Sequence, residues 1–373
     1  MSRPRVSELE LLIRLSNPFI DDSEQFSEVR AELVDWDELV SLAVRNKVIC
    51  NLHANLGISR VKKLIPERVA HEIEVFGARK HRQTDALLNE IPQINRILQK
   101  RMIDFIVIKT IKPFPSECSD IDILLPSLQH LILAAKAFEE NGYHPDEEYP
   151  EPDKIKLHKT FTPTKGPSYK CVVDLHGKIT QDSLDLISQR NVWIRKRYNT
   201  EFGVNVPSSE DDFLTIAIES FFGDNTIYLR NLFHLVSLAR RGIDWNYIVQ
   251  SAARYGWVSS ILTVISGINS AEGFSKSDCS MFTEAKLRAL KNCSTRLTAK
   301  LLSQNEIEYP MPTYYSIRTN LFSMLLKVFS DAYHNELAPL PYIRHLRRIM
   351  GIYLSKEPRL ACTVQGYGSR KSC

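Results

Sequence analysis

Phe105-Ile-Val-Ile-Lys109, the turn-prone Pro113-Phe-Pro-Ser-Glu-Cys118 and Asp120-Ile-Asp-Ile-Leu-Leu125 form the stretch on which the reading of this chain depends. A compact apolar run, a proline-bounded loop and a second short run read as strand, loop, strand. Successive side chains of a strand alternate between faces, so Asp120 and Asp122 project to one side while Ile121, Ile123 and Leu125 turn to a core. Two carboxylates on one face repel each other unless solvent, a proton or a cation relieves them. A hard divalent ion with oxygen ligands, Mg²⁺ or Mn²⁺, is the simplest relief.

Working outward, Leu128 to Asn141 has the pattern of an amphipathic helix, closed by Gly142 at the left-handed position after a helix end. Lys156 to Pro163, Tyr169 to Gly177 and Glu201 to Val206 are expected to be strands, with a short helical piece from Asp182 to Arg197 between the last two. In Lys170-Cys-Val-Val-Asp-Leu-His176 the alternation puts Val172, Asp174 and His176 on one face and Cys171, Val173 and Leu175 on the other. Asp174 is therefore an acid set in an apolar strand. Three carboxylates from neighbouring strands can hold two metal ions, one activating a hydroxyl and one neutralising a triphosphate and its pyrophosphate leaving group. Asp-x-Asp alone also arises by chance at solvated strand edges, and it is the ordered context that gives it weight.

The flanks differ from this centre. From Ser7 to about Leu98 apolar residues recur at helical spacing, and from Pro207 helices are expected again to about residue 355, opened by Ser208 or Ser209 as cap with Asp211 or Asp212 three positions on. The expected division is residues 1–98 helical, 99–207 the α+β core, 208–355 helical and 356–373 a disordered tail. Asp35-Trp-Asp-Glu-Leu-Val-Ser-Leu-Ala-Val-Arg45 aligns without gaps on Asp244-Trp-Asn-Tyr-Ile-Val-Gln-Ser-Ala-Ala-Arg254. Two Asp-capped helices with a buried Trp explain the match more readily than a duplicated substrate-cradling helix does.

The net charge of +4 permits an anionic substrate without demanding one. Seven cysteines show no Cys-x-x-Cys pair and read as reduced thiols. Glu8 and Glu10 interrupt the apolar residues near the amino terminus, which suits an amphipathic helix better than a signal peptide. No apolar run reaches the roughly 20 residues of a membrane span, so no membrane partner is expected, and the expected location is cytoplasmic.

Ile108-Lys-Thr110, Ser119-Asp-Ile-Asp-Ile-Leu-Leu125, the helix ending Asn141-Gly-Tyr143 and Val173-Asp-Leu-His176 resemble the uncharacterised nucleotidyltransferase family proteins of the DNA polymerase beta superfamily, with an archaeal branch as the expected source. The resemblance covers about residues 100–180. It implies a polymerase-beta-like nucleotidyltransferase core with a mixed sheet. It further implies Asp120 and Asp122 as metal ligands, Asp174 as the third carboxylate, an NTP as donor and transfer of its NMP to an acceptor hydroxyl on RNA, protein or a small molecule. The superfamily usually has Gly-Ser ahead of the aspartates, where backbone N–H groups and the hydroxyl hold triphosphate. Lys109-Thr110 stands there, so Lys109, Thr110, Lys112 and Ser119 are the expected phosphate contacts, with a catalytically inactive binding module as the alternative.

His176 is expected to contact phosphate, to orient Asp174, or to be a buried hydrogen-bonded histidine. His158 reads as a strand-surface residue and Cys118 as a loop thiol, not a nucleophile. Arg195-Lys-Arg197 and Arg240-Arg241 read as solvated faces. Phe213, Phe221, Phe222 and Phe233 read as core.

Overall fold

The computed structural model describes residues 7–20, 26–27, 29–145, 158–163, 171–181, 184–185, 187–222 and 226–255, together with 261, 264, 265, 268, 311 and 312. The expected disordered tail, and most of the helical run beyond residue 255, lie outside these residues.

Six helices lead in: α1 (Glu8–Leu15), α2 (Trp36–Arg45), α3 (Ile49–Asn55), α4 (Ser59–Leu64), α5 (Glu67–Leu88) and α6 (Ile91–Lys100). Side-chain caps start two of them: Ser7 accepts from the Glu10 amide at 3.1 Å and Asp35 from that of Glu38 at 3.0 Å. Gly77 of α5 lies hard against α3, where an added Cβ would sit 2.3 Å from the Cβ of His53. That contact lets the two helices approach more closely than any larger residue would allow.

The sheet opens with β1 (Ile106–Ile108) and β2 (Asp120–Leu124), followed by α7 (Leu128–Glu140), β3 (Tyr143–Pro145), β4 (His158–Pro163) and β5 (Val172–His176). Ser127 caps α7, and Gly142 closes it at φ 85°. Two short strands, β6 (Thr180–Gln181) and β7 (Leu184–Asp185), pair antiparallel, and β7 falls within the span from Asp182 to Arg197 expected to be helix. The helix itself, α8 (Gln189–Arg195), starts only after Ser188, whose hydroxyl accepts from the Asn191 amide at 3.3 Å. The expected helix also ran to Arg197, which instead begins β8 (Arg197–Asn199), paired antiparallel with β9 (Val204–Val206). The turn between them needs a left-handed residue, supplied by Gly203 at φ 66°.

Seven strands form one mixed sheet in the order β3-β4-β5-β2-β1-β9-β8. β1 runs antiparallel to β2, β2 parallel to β5, and β4 antiparallel to β5. After it come α9 (Ser209–Phe222), the two-residue β10 (Thr226–Ile227), α10 (Leu229–Arg240) and α11 (Trp245–Tyr255), with β11 (Met311–Pro312) paired to β10. Ser208 caps α9 through the Asp211 amide at 3.2 Å. Asp244 accepts from the Asn246 and Tyr247 amides at the start of α11, and Trp36 and Trp245 are both buried.

Both faces of the sheet are covered. On one, Phe105, Val107, Ile121, Ile123, Val173 and Leu175 pack with Ile94 and Leu98 of α6 and Leu131 and Phe138 of α7. On the other, Ile106, Ile108 and Leu124 belong to a larger core that also holds Leu11, Leu39, Leu52 and Ile73 of the leading helices and Phe213, Leu232, Phe233 and Trp245 of the later ones. The leading and trailing helices thus share one apolar core over a single face of the sheet. No helix among the described residues is long and apolar enough to cross a membrane.

Candidate active site

The acids emerge at one end of the face shared with the long core. β2 and β5 pair in parallel with Asp122 directly opposite Asp174, so strand register alone brings these two carboxylates together. His176 follows on the same face of β5, and its Nε2 lies 2.7 Å from Asp122 Oδ1. An ionised carboxylate can only accept, so the imidazole donates. One oxygen or nitrogen from each of Asp122, Asp174 and His176 falls within 4.8 Å of the others. Asp120 sits one step back on β2, half-buried, and accepts from the Ser119 hydroxyl at 3.0 Å.

Lys109 completes the acid cluster. Its ammonium is 3.2 Å from Asp122 Oδ1 and 2.8 Å from Glu219 Oε1 on α9. The backbone of Lys109 has φ 59°, a left-handed conformation that costs a non-glycine residue about 1–2 kcal/mol and that sites of function often retain. Lys109 thus occupies a left-handed position of the kind that favours glycine. The next residue, Thr110, is buried. Its hydroxyl donates to Ile108 O at 3.1 Å and accepts from the Asp122 amide at 3.0 Å, locking the end of β1 onto β2.

Charge follows the geometry. Burial pushes the Asp120 carboxyl up to about 6, with the neighbouring Asp122 charge adding to the effect and Lys109 opposing it. Burial acts on Asp122 in the same direction, but the Lys109 ammonium and the His176 hydrogen bond outweigh it and hold that carboxyl below the usual range. For Lys109, burial disfavours the charge, yet Asp122 and Glu219 keep it firmly protonated.

The loop from Ile111 to Ser119 is tethered from several sides. Thr84 of α5 donates to Ser116 O at 3.2 Å and accepts from the Cys118 amide at 3.1 Å. Arg230, in the first turn of α10, donates to Glu117 O at 3.0 Å, and Lys112 donates to Lys109 O at 2.8 Å. The Cys118 thiol is pushed up by burial and lies 3.1 Å from Asp120 O, consistent with a loop residue that is no nucleophile. Arg195 is not a solvated cation: it pairs with Glu210 and Asp211 and stacks on Tyr247, 3.9 Å from the ring centroid.

The family model for uncharacterised nucleotidyltransferases matches residues 32–267, which span every strand of the large sheet and every residue of the acid cluster. The chain belongs to this family. No curated protein and no solved structure matches it. The nucleotidyltransferase is accordingly a transferase of phosphorus-containing groups, with a nucleotide as substrate. In this nucleotidyltransferase the sheet unites Asp122, Asp174 and His176, with Asp120 and Lys109 beside them, whereas Thr110 faces inward and Ser119 is exposed.

Two residues escaped sequence reading. Glu219 follows Ile216-Ala-Ile218 on α9, and a lone acid after such a run was the available signal. Arg230 stands between Leu229 and Asn231 with nothing in the local pattern to mark it.

Proposed function

We propose that this nucleotidyltransferase moves an NMP from an NTP to an acceptor hydroxyl, with Asp120, Asp122 and Asp174 as the catalytic carboxylates and pyrophosphate as leaving group. The observation that carries this reading is the in-register pairing of Asp122 with Asp174, which sets two acids and the His176 imidazole within 4.8 Å beside a third acid whose charge is disfavoured. Such a donor set suits a divalent cation: carboxylate oxygens fit Mg²⁺ or Mn²⁺, and the imidazole favours Mn²⁺ of the two. Asp122, Asp174 and Asp120 would hold it, with His176 as a further nitrogen donor. A bound ion would supply charge neutralisation at the reacting phosphate.

The chain's own residues do the remaining work. Asp174 lies on the strand next to Asp122 and is placed to accept the acceptor hydroxyl's proton. Lys109 holds Asp122 ionised, and Glu219 holds Lys109. Thr110 fixes β1 to β2, so that the spacing of the acids is set before substrate arrives.

Calorimetric titration of each NTP with Mg²⁺ or Mn²⁺ into the wild type and an Asp120→Ala/Asp122→Ala variant tests the reading. Metal-dependent binding of a nucleotide that the variant loses supports it. The commitment of Lys109 to acids and of Thr110 to backbone favours a second reading, an inactive module of the same fold. Absence of nucleotide binding by folded wild-type protein would select that one. The acceptor, whether RNA, protein or small molecule, follows from product analysis once the donor is known.

A further inference from the structure

Lys109 and Thr110 are occupied with the acids and the backbone, so the phosphates of a donor need other partners. Half-buried near the acid cluster stand two cations, Lys112 and Arg230, that form no ion pair within 4 Å among the described residues. Lys112 gives one hydrogen bond, to Lys109 O at 2.8 Å; Arg230 bonds to Glu117 O at 3.0 Å and Asn231 Oδ1 at 3.3 Å. All three acceptors are neutral oxygens. The acids nearby each direct one oxygen to another group: Asp212 lies 3.2 Å from His234 Nε2, and Glu117 3.3 Å from Lys80, while Asp212 acts on Lys112 only through its field. Burial and the closeness of Arg230 both lower the Lys112 pKa, which says that the two charges crowd each other.

Stapling a loop does not explain this. A carbonyl is held as well by a neutral amide, whereas an ammonium has three donors and a guanidinium five, most of them without an acceptor among the described residues. Two like charges brought together in a half-buried place are the mirror image of the aspartates on the other side of the loop. They are relieved by an anion, as the aspartates are by a cation. Lys112 reaches Lys109 O, and Lys109 in turn pairs with Asp122, so the two clusters are neighbours. Tethering of the loop by Thr84 fixes their spacing.

We infer that Lys112 and Arg230 form a subsite for the terminal phosphates of the nucleoside triphosphate, held by side chains of the loop and of α10 in place of the backbone at 109–110. This rests on the transferase reading for the identity of the ligand. The charge pair itself is independent of it.

The test uses the full chain and sodium tripolyphosphate in EDTA, followed by calorimetry. Wild type is expected to bind it, Arg230→Gln and Lys112→Gln each to weaken binding at least 10-fold, Arg230→Lys to recover part of the loss, and Asp120→Asn to bind as well or better. With Mn²⁺ present, the preference for ATP over AMP should fall at least 10-fold in Arg230→Gln. If Arg230→Gln misfolds by circular dichroism, Lys112→Gln decides alone. Unchanged tripolyphosphate binding in the folded variants, or none by wild type, overturns the subsite. So does equal competition at this pair by a single-stranded oligonucleotide lacking a terminal triphosphate. Should the subsite fail while Asp120→Ala/Asp122→Ala still abolishes metal-dependent NTP binding, the transferase reading survives. Arg230-dependent tripolyphosphate binding without metal-dependent NTP binding would sink the transferase reading and spare the subsite.

Discussion

The two faces of the sheet obey different rules. Ile121, Ile123, Val173 and Leu175 meet α6 and α7 through apolar contact alone, and any residue of suitable shape would serve. One position along, on the opposite face, Asp122, Asp174 and His176 are meaningful only in company, and the company comes from Lys109 just past β1, from β5 and from α9. Shape governs the first face and pairing the second. The same strands carry both because alternation keeps the two requirements apart.

An acid placed on the sealed face should have the largest effect. Ile123→Asp buries a charge with no counter-ion and is expected to cost more than about 4 kcal/mol, read as loss of the cooperative unfolding transition. A soluble, cooperatively melting Ile123→Asp protein would contradict the distinction. Asp122→Asn, on the paired face, leaves Lys109 with Glu219 alone and offers His176 a neutral amide oxygen in place of a carboxylate. We expect roughly 3 kcal/mol of destabilisation in urea and at least a 100-fold loss of Mn²⁺ affinity by calorimetry.

Asp120→Asn should go the other way. Its carboxyl, at about 6 in the folded protein against an ordinary 3.8, binds a proton more tightly folded than unfolded. That linkage contributes stability present below about pH 4 and lost as pH rises through about 6. In metal-free buffer at pH 7.5 the amide should therefore stabilise the fold by about 1–2 kcal/mol, after allowance for partial exposure, while NMP transfer assayed separately with Mn²⁺ is lost. An unchanged or lower midpoint would show that Asp120 is not under strain. The smallest effect is chemical: burial pushes the thiols of Cys50 and Cys171 up to about 12, so iodoacetamide should leave both unmodified in native protein at pH 7.5 and label them on unfolding.

The sealed face and the succession of elements along the chain around it were legible because each depends on local pattern. β1, β2, α7 and β5 follow from alternation, a Ser cap and a glycine stop. The three carboxylates followed from the same alternation. What stayed hidden lies between distant segments. Nothing in Lys109-Thr110 says that the lysine will take the left-handed backbone or that its ammonium will reach α9. Arg230 has no periodic partner, and only the packing of α10 against the loop reveals it. The span from Asp182 reads as helix because Asp182 and Ser183 are residues that cap helices as readily as they form turns. Thr180–Gln181 and Leu184–Asp185 pair as strands instead, and Ser188 is the residue that starts the helix.

Gly77 is distant from the acid cluster, yet the loop from Ile111 to Ser119 leans on the same helix. Thr84, the residue that clasps Ser116 and Cys118, stands on the same rigid rod, about 10 Å further along at 1.5 Å per residue. A methyl group at Gly77 would meet His53 and force α5 away from α3. The rod would act as a lever, transmitting that displacement to the loop between the cationic and acidic clusters, and so a change of one carbon in the helical lead-in would detune catalysis without touching a reacting atom.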